Sequence, residues 1–197
     1  MLNFLTTFIA LIKNMYSKSA ALLLFIFLLP INFIIAVIII LDDGFPFLYK
    51  QKRIGKDNKI FSLYKFRTMK NKIPDIPTHL LNNPKKYFIR TGASIRKLSL
   101  DELPQLINII KGEMVFIGPR PALYNQEDLI KLRTAKNIHK LKPGITGLAQ
   151  INGRDDLSIE QKVTFDALYF KHKSLFINIK IIFLTVKQIL LKKGISH

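Results

Sequence analysis

From Ala20 to Leu41 the chain reads AALLLFIFLLPINFIIAVIIIL, 22 residues without a charged side chain. A helix needs roughly 20 apolar residues to cross the hydrocarbon core of a bilayer, so this run must be matched by lipid or by an apolar core. A cleaved signal peptide is a poorer reading. Its apolar region runs about 7–15 residues and ends at small residues, whereas Asp42, Asp43 and Gly44 follow here. Orientation normally follows an asymmetry of Lys and Arg, but both flanks are basic: Lys13 and Lys18 precede the run, and Lys50, Lys52, Arg53, Lys56 and Lys59 follow it. Pro30 lies in the middle, where it removes a helix hydrogen bond and clashes with the preceding turn. Asn32 adds an amide able to satisfy a freed backbone group. Two topologies remain open on these residues: a kinked span, or a helix–break–helix that enters and leaves by one face. The apolar stretch before it, from Met1 to Ile12, suits a short interfacial lead-in.

The charge narrows the partners. Lys and Arg total 31 against 13 Asp and Glu, a net charge of +18, which calls for nucleic acid, anionic lipid headgroups or phosphorylated substrates. The membrane segment favours the last two. With no cysteine, disulfides, thiolate catalysis and cysteine-ligated zinc are excluded. The four histidines (His79, His139, His172, His197) have no metal-site spacing.

Along the rest of the chain, Asp42–Phe47 reads as a turn. Tyr49–Met69 reads as two short strands broken at Gly55 and Asp57-Asn58, a hairpin. Residues 70–84 read as an irregular loop and Tyr87–Leu98 as partly helical. Asp101–Lys111 reads as a helix with Leu103, Leu106, Ile107 and Ile110 on one face, stopped by Gly112. Met114–Ile117 suits a strand, Ala122–Lys140 a basic helix, and Lys142–Arg154 a glycine-rich loop whose glycines would let backbone approach a phosphate or a nucleotide. It lacks the GxxxxGK[ST] pattern of a P-loop. Ser158 and Gln161 frame a capping box, with a helix to about Lys171. Leu175–Lys193 suits an amphipathic helix on a membrane or on the core.

Most of the chemistry gathers in Ser94–Pro121, SIRKLSLDELPQLINIIKGEMVFIGPRP. Ser99 and Glu102 fit a capping box, with Pro104 tolerated in a first turn. Capping accounts for Glu102 better than for Asp101, and it leaves the surrounding Arg and Lys unused. A carboxylate at a helix N-terminus near cations has a depressed pKa, and an aspartate can attack phosphorus. Such a step needs its electrophile neutralised by arginine or by a divalent cation on oxygen ligands. Arg120, between Pro119 and Pro121, has little backbone freedom to lose. An arginine on such a turn is equally compatible with a solvated charge.

Five stretches in order carry a resemblance: Gln51–Gly55 (QKRIG), Lys65–Met69 (KFRTM), Ser99–Gln105 (SLDELPQ), Gly118–Pro121 (GPRP) and Lys142–Arg154 (KPGITGLAQINGR). With them the chain resembles the small monotopic phosphoglycosyl transferases of the bacterial sugar transferase family, from about residue 16 onward. The resemblance implies an α+β, mostly helical fold with a re-entrant N-terminal membrane helix broken at Pro30, a small β-hairpin and amphipathic interfacial helices. Residues 1–42 would form the membrane-associated region and 43–197 a catalytic domain on the cytoplasmic face of the bacterial inner membrane. It implies transfer of a sugar 1-phosphate from a UDP-sugar to polyprenyl phosphate through a phosphosugar on Asp101, with UMP released. Glu102 would assist, and Mg²⁺ would be held by Asp101 and Glu102. Arg120 would bind phosphate, with Arg53, Arg67, Arg96, Arg154 and Gln105 as further substrate-binding residues. Membrane lipids are expected partners and nucleic acid is not. Leu29 stands where the family often has Ser before the proline.

Overall fold

The computed structural model describes residues 2–70, 84–153 and 156–191. The described residues are mostly helical, with two small sheets. Helix α1 (Leu2–Phe27) and helix α2 (Leu29–Asp43) meet at Leu28. The break is one residue long because Pro30 sits in the first turn of α2, where its missing N–H goes unneeded. Asn32 Nδ2 donates to the Leu28 carbonyl at 2.9 Å, so its amide does bond backbone at the break. Met15–Phe27 and Leu29–Asp43 are bent by 60°; no single described helix is long and apolar enough to cross a membrane, but this pair together is.

A helix that is apolar on all sides needs a partner on all sides. One stripe of this pair is covered by protein. Ala21, with Phe25 and Leu28 beside it, packs on Phe61, Leu63, Leu106, Ile109 and Met114. Ile35 and Ile39 pack on Phe66, Ile89 and Ile95. The other sides stay exposed, among them Leu23, Phe27, Phe33, Ile34 and Leu41. Asp42 and Asp43 are not a turn. They end α2, because the Thr91 N–H and hydroxyl donate to Asp42 Oδ2 at 2.8 and 2.7 Å and Arg67 pairs with Asp43. Continuing helix there gives both carboxylates a partner.

Strands β1 (Leu48–Ile54) and β2 (Ile60–Phe66) form the expected antiparallel hairpin, with Gln51 opposite Leu63 and Ile54 opposite Ile60. Asp57 and Asn58 turn it with positive φ, which their side chains tolerate. Period-two alternation turns Phe61, Leu63 and Lys65 to one face. After α3 (Gly92–Lys97) comes a 3₁₀ turn, Leu100–Glu102, and then α4 (Gln105–Lys111), which ends at Gly112 in the left-handed region. Expectation and structure differ here. The helix starts at Gln105, not Asp101, and its inward face is Gln105, Leu106, Asn108 and Ile109. Buried Asn108 donates to the Ser62 carbonyl (2.7 Å) and Glu113 (2.7 Å) and accepts from the Tyr64 N–H (3.1 Å), clamping α4 to β2.

Strand β3 (Val115–Ile117) runs parallel to β4 (Gly144–Thr146), and α5 (Glu127–Ala135) lies in the crossover. The glycine-rich segment is therefore not a loop: it holds β4 and the short helix α6 (Leu148–Ile151). A Cβ at Gly144 would stand 2.1 Å from the Gly118 nitrogen, and one at Gly147 would stand 2.2 Å from the Gly118 oxygen. Gly144 and Gly147 allow this close backbone pairing. Helix α7 (Ile159–His172) begins with the expected Ser158–Gln161 capping box. In α8 (Leu175–Leu191), Phe176, Ile179, Phe183, Val186 and Leu190 form an exposed stripe at helical spacing. The opposite face is tied down by Gln188 to the Ile151 carbonyl (2.7 Å) and Thr185 to Thr146 (2.7 Å).

Candidate active site

Asp101 and Glu102 are buried, 6% and 7% exposed. Burying two adjacent carboxylates costs several kcal/mol, on the order of a Born penalty after relaxation, unless cations and hydrogen bonds offset it. The cations arrive from two elements. Lys65, on the same face of β2 as Phe61 and Leu63, places its Nζ 3.0 Å from Glu102 Oε1 and 3.5 Å from Asp101 Oδ2. The Arg120 Nη atoms reach the same Glu102 oxygen at 3.2 and 3.3 Å. Burial pushes the Lys65 ammonium below the usual lysine range. Glu102 and Asp101 pull it back up, and Arg120 and Arg53 push it further down.

The capping box at Ser99 does not form. Ser99 has φ 54° and ψ 21°, left-handed, and makes no side-chain cap, whereas an N-cap residue needs extended backbone. Its own N–H is taken by the Arg96 carbonyl (2.8 Å) at the end of α3. The Glu102 side chain turns to Lys65 and Arg120 instead.

The Gly118–Pro121 turn is fixed on both sides. The Gly118 N–H donates to Thr146 and the Gly144 N–H to Pro119. From α5, Arg133 Nη1 donates to the Arg120 carbonyl at 2.8 Å, while its Nε and Nη2 donate to Asp166 Oδ2 of α7 at 3.0 and 2.6 Å. Asp166 is 1% exposed. Burial raises its carboxyl, and the Arg133 and Lys162 charges oppose that rise.

The other expected residues scatter. Arg53 donates to Gln51 at 2.9 and 2.5 Å and to the Pro121 carbonyl at 2.9 Å, next to Arg120 in the chain, and its charge is felt by Lys65. Arg67 is 3% exposed and donates to the Pro46, Asp43 and Gly44 carbonyls at 2.6, 2.9 and 2.6 Å; with the Asp43 carboxylate, its donors serve the end of α2. Arg96 lies over the Phe88 ring at 5.3 Å, with Nη1 3.5 Å from Met69 Sδ. Gln105 is buried in the first turn of α4. Arg154 lies outside the described residues. Lys65, Arg133 and Asp166 did not emerge as individual site residues in the sequence. For Lys65 the usable signal is Phe61-x-Leu63-x-Lys65, a cation continuing an apolar alternation. For Asp166 it is the helical face Val163, Asp166, Tyr169.

No group of three or more His, Asp or Glu side chains gathers among the described residues. Two carboxylates fit Mg²⁺ nevertheless, because Mg²⁺ is commonly held by one or two carboxylates, with substrate phosphates and water completing the shell. Beside the pair opens a cavity of about 290 Å³ that reaches from Glu102 and Arg120 to Leu24 of α1 and Ile189 of α8.

A sequence profile described as bacterial sugar transferase matches residues 8–192. An uncharacterized sugar transferase, EpsL of Bacillus subtilis, is 40% identical over 186 residues, covering 94% of this chain and 91% of EpsL. The exopolysaccharide production protein ExoY of Rhizobium meliloti is 37% identical, covering 92% of this chain and 85% of ExoY. The UDP-glucose:undecaprenyl-phosphate glucose-1-phosphate transferase of Escherichia coli is 38% identical over 89% of this chain, which spans only 39% of that longer protein.

Proposed function

The chain belongs to the bacterial sugar transferase family, and from that premise we propose that it moves a sugar 1-phosphate from a UDP-sugar to undecaprenyl phosphate and releases UMP. The observation that carries the reading is the buried pair Asp101–Glu102 facing Lys65 and Arg120, beside a helix pair apolar enough for a bilayer. Relatives named for glucose and galactose transfer to undecaprenyl phosphate agree with it. The first step is attack of an Asp101 carboxylate oxygen on the sugar-bearing phosphorus. The bond from that phosphorus to UMP breaks, and UMP leaves with the electron pair. In the second step an oxygen of the prenyl phosphate attacks the same phosphorus and restores the Asp101 carboxylate. Lys65 and Arg120 stabilise charge on the transferring phosphoryl oxygens. Bound at Asp101 and Glu102, Mg²⁺ would neutralise phosphate charge.

The bent helix pair is re-entrant in this reading. Its break keeps both basic flanks on the cytoplasmic face of the inner membrane, where anionic headgroups attract them. Residues 1–42 are the membrane-associated part, and 43–197 the catalytic part. The exposed apolar stripe of α8 lies in the interface, with Lys180 and Lys187 reaching to headgroups.

The test is UMP release against a panel of UDP-sugars, with and without undecaprenyl phosphate. Lipid-dependent release supports transfer, and equal release without lipid marks a hydrolase. Asp101→Asn is expected to abolish transfer and the phosphosugar adduct trapped in the wild type; an adduct mapped to another residue overturns the assignment.

A further inference from the structure

The cavity beside the carboxylates is lined by two kinds of side chain. Leu24, Leu103, Leu106, Phe116, Ile145 and Ile189 line it. The polar residues on the α8 side are turned to protein partners: Thr185 donates to the Ile181 carbonyl (2.8 Å) and shares a hydrogen bond with Thr146 (2.7 Å), and Gln188 donates to Ile151 (2.7 Å). Ser99 and Gln150 line it as well, with Gln150 Oε1 buried and making no hydrogen bond among the described residues; the rest of the lining is mainly carbon, which disfavours a uracil or a sugar, most of whose polar groups would lose water without replacement. Glu102 and the Arg120 guanidinium, 3.2 Å apart, line the same cavity. Leu24 of α1 and Thr185, Gln188 and Ile189 of α8 belong to helices that also carry exposed apolar side chains. A cavity of roughly 150 Å³ holds one benzene, so a cavity of about 290 Å³ takes two five-carbon units.

We propose that this cavity is the slot for the first two isoprene units of the prenyl phosphate acceptor, with the acceptor's phosphate at Arg120 and the remaining chain leaving between α1 and α8 into lipid. The assignment rests on the transferase reading above and adds to it which surface holds the acceptor. A mainly apolar slot with a guanidinium in its lining matches both parts of the ligand, a hydrocarbon chain and the anion at its tip.

Leu24→Trp and Ile189→Trp fill the slot from α1 and from α8, and Leu23→Trp adds the same bulk on a neighbouring residue that is 70% exposed and does not line it. In nanodiscs, the first two are expected to raise KM for undecaprenyl phosphate about tenfold, roughly 1.4 kcal/mol, and to leave the lipid-free burst of UMP unchanged. Leu23→Trp is expected to change neither. A loss of the burst with an unchanged lipid KM places the donor in the cavity and overturns the proposal; so does an equal rise in KM for Leu23→Trp, which marks general membrane binding. A photolabile geranyl phosphate, applied to the wild type and to Asp101→Asn, is expected to label the peptides carrying Leu24, Phe116 and Ile189. If labelling lands there while no UDP-sugar is turned over, the slot stands and the transferase reading falls. If transfer proceeds and labelling lands only on the outer stripe of α8, the slot falls alone.

Discussion

Asp166 touches no proposed reacting group, yet the arrangement predicts that catalysis depends on it. Its Oδ2 takes two guanidinium donors from Arg133, whose third donor holds the Arg120 carbonyl. Side-chain exposure is 1% for Asp166 and 11% for Arg133. Removing one partner of a buried ion pair strands the other and costs about 3–5 kcal/mol. Asp166→Asn keeps one oxygen in place, loses the charge and puts an NH2 where Oδ1 stood, so its cost is at least the roughly 1.5–3 kcal/mol of a hydrogen bond to a charged group. A chain of this length shifts Tm by roughly 2–4 °C per kcal/mol, so Asp166→Asn should melt at least about 3–12 °C lower and Asp166→Ala lower still. Relaxation of Arg133 also frees the Arg120 turn. A misplacement of about 1 Å in a positioned group can cost on the order of 10²-fold in rate. Lipid-dependent UMP release should therefore lose kcat by about 10- to 100-fold at temperatures where the variant is folded, with KM for the UDP-sugar little changed. Arg133→Lys should show the same kcat loss, because an ammonium cannot span the carboxylate and the carbonyl with a planar fork. If Asp166→Asn is destabilised but keeps full kcat, the pair holds α5 to α7 and does not position Arg120.

Two further outcomes follow from the site and the membrane break. Lys65→Met should lower kcat by roughly 10²–10³-fold if its ammonium stabilises the transferring phosphoryl group. Because burial depresses the Lys65 pKa below its ordinary 10.5, the activating cation is lost as pH rises through a value under 10.5. The alkaline limb of kcat/KM should thus lie below that of an unperturbed lysine and move upward in Lys65→Arg; superimposable profiles would remove Lys65 from the chemistry. Pro30→Ala restores an N–H in the first turn of α2 and relieves the proline clash with the preceding turn, so the 60° bend should open toward a full span. Labelling of a tag at residue 1 from outside the cell reports it; unchanged labelling would mean that Asn32 and the packing of Ile35 and Ile39 hold the bend.

Much of this protein is local, and what is local was legible. The bend around Pro30, the hairpin across Gly55–Lys59, the stop at Gly112 and the capping box at Ser158 each depend on a few neighbouring side chains and their own backbone. The acidic pair and the proline-bracketed arginine could be singled out for the same reason, since their residue types already narrow the chemistry. What could not be read from the chain alone was long-range. Nothing near Ser99 says that its backbone turns left-handed, because closure of α3 against the 3₁₀ turn imposes it. Nothing near Gly144 says that it meets Gly118 across a parallel pairing 26 residues away. Arg67 and Arg120 look alike in sequence, but one is consumed by the end of a helix and the other reaches Glu102. Propensity, capping and hydrophobic run length are properties of a segment. Which cation meets which carboxylate, and which walls close a cavity, depend on how segments far apart in the chain pack together, and only the tertiary structure decides that.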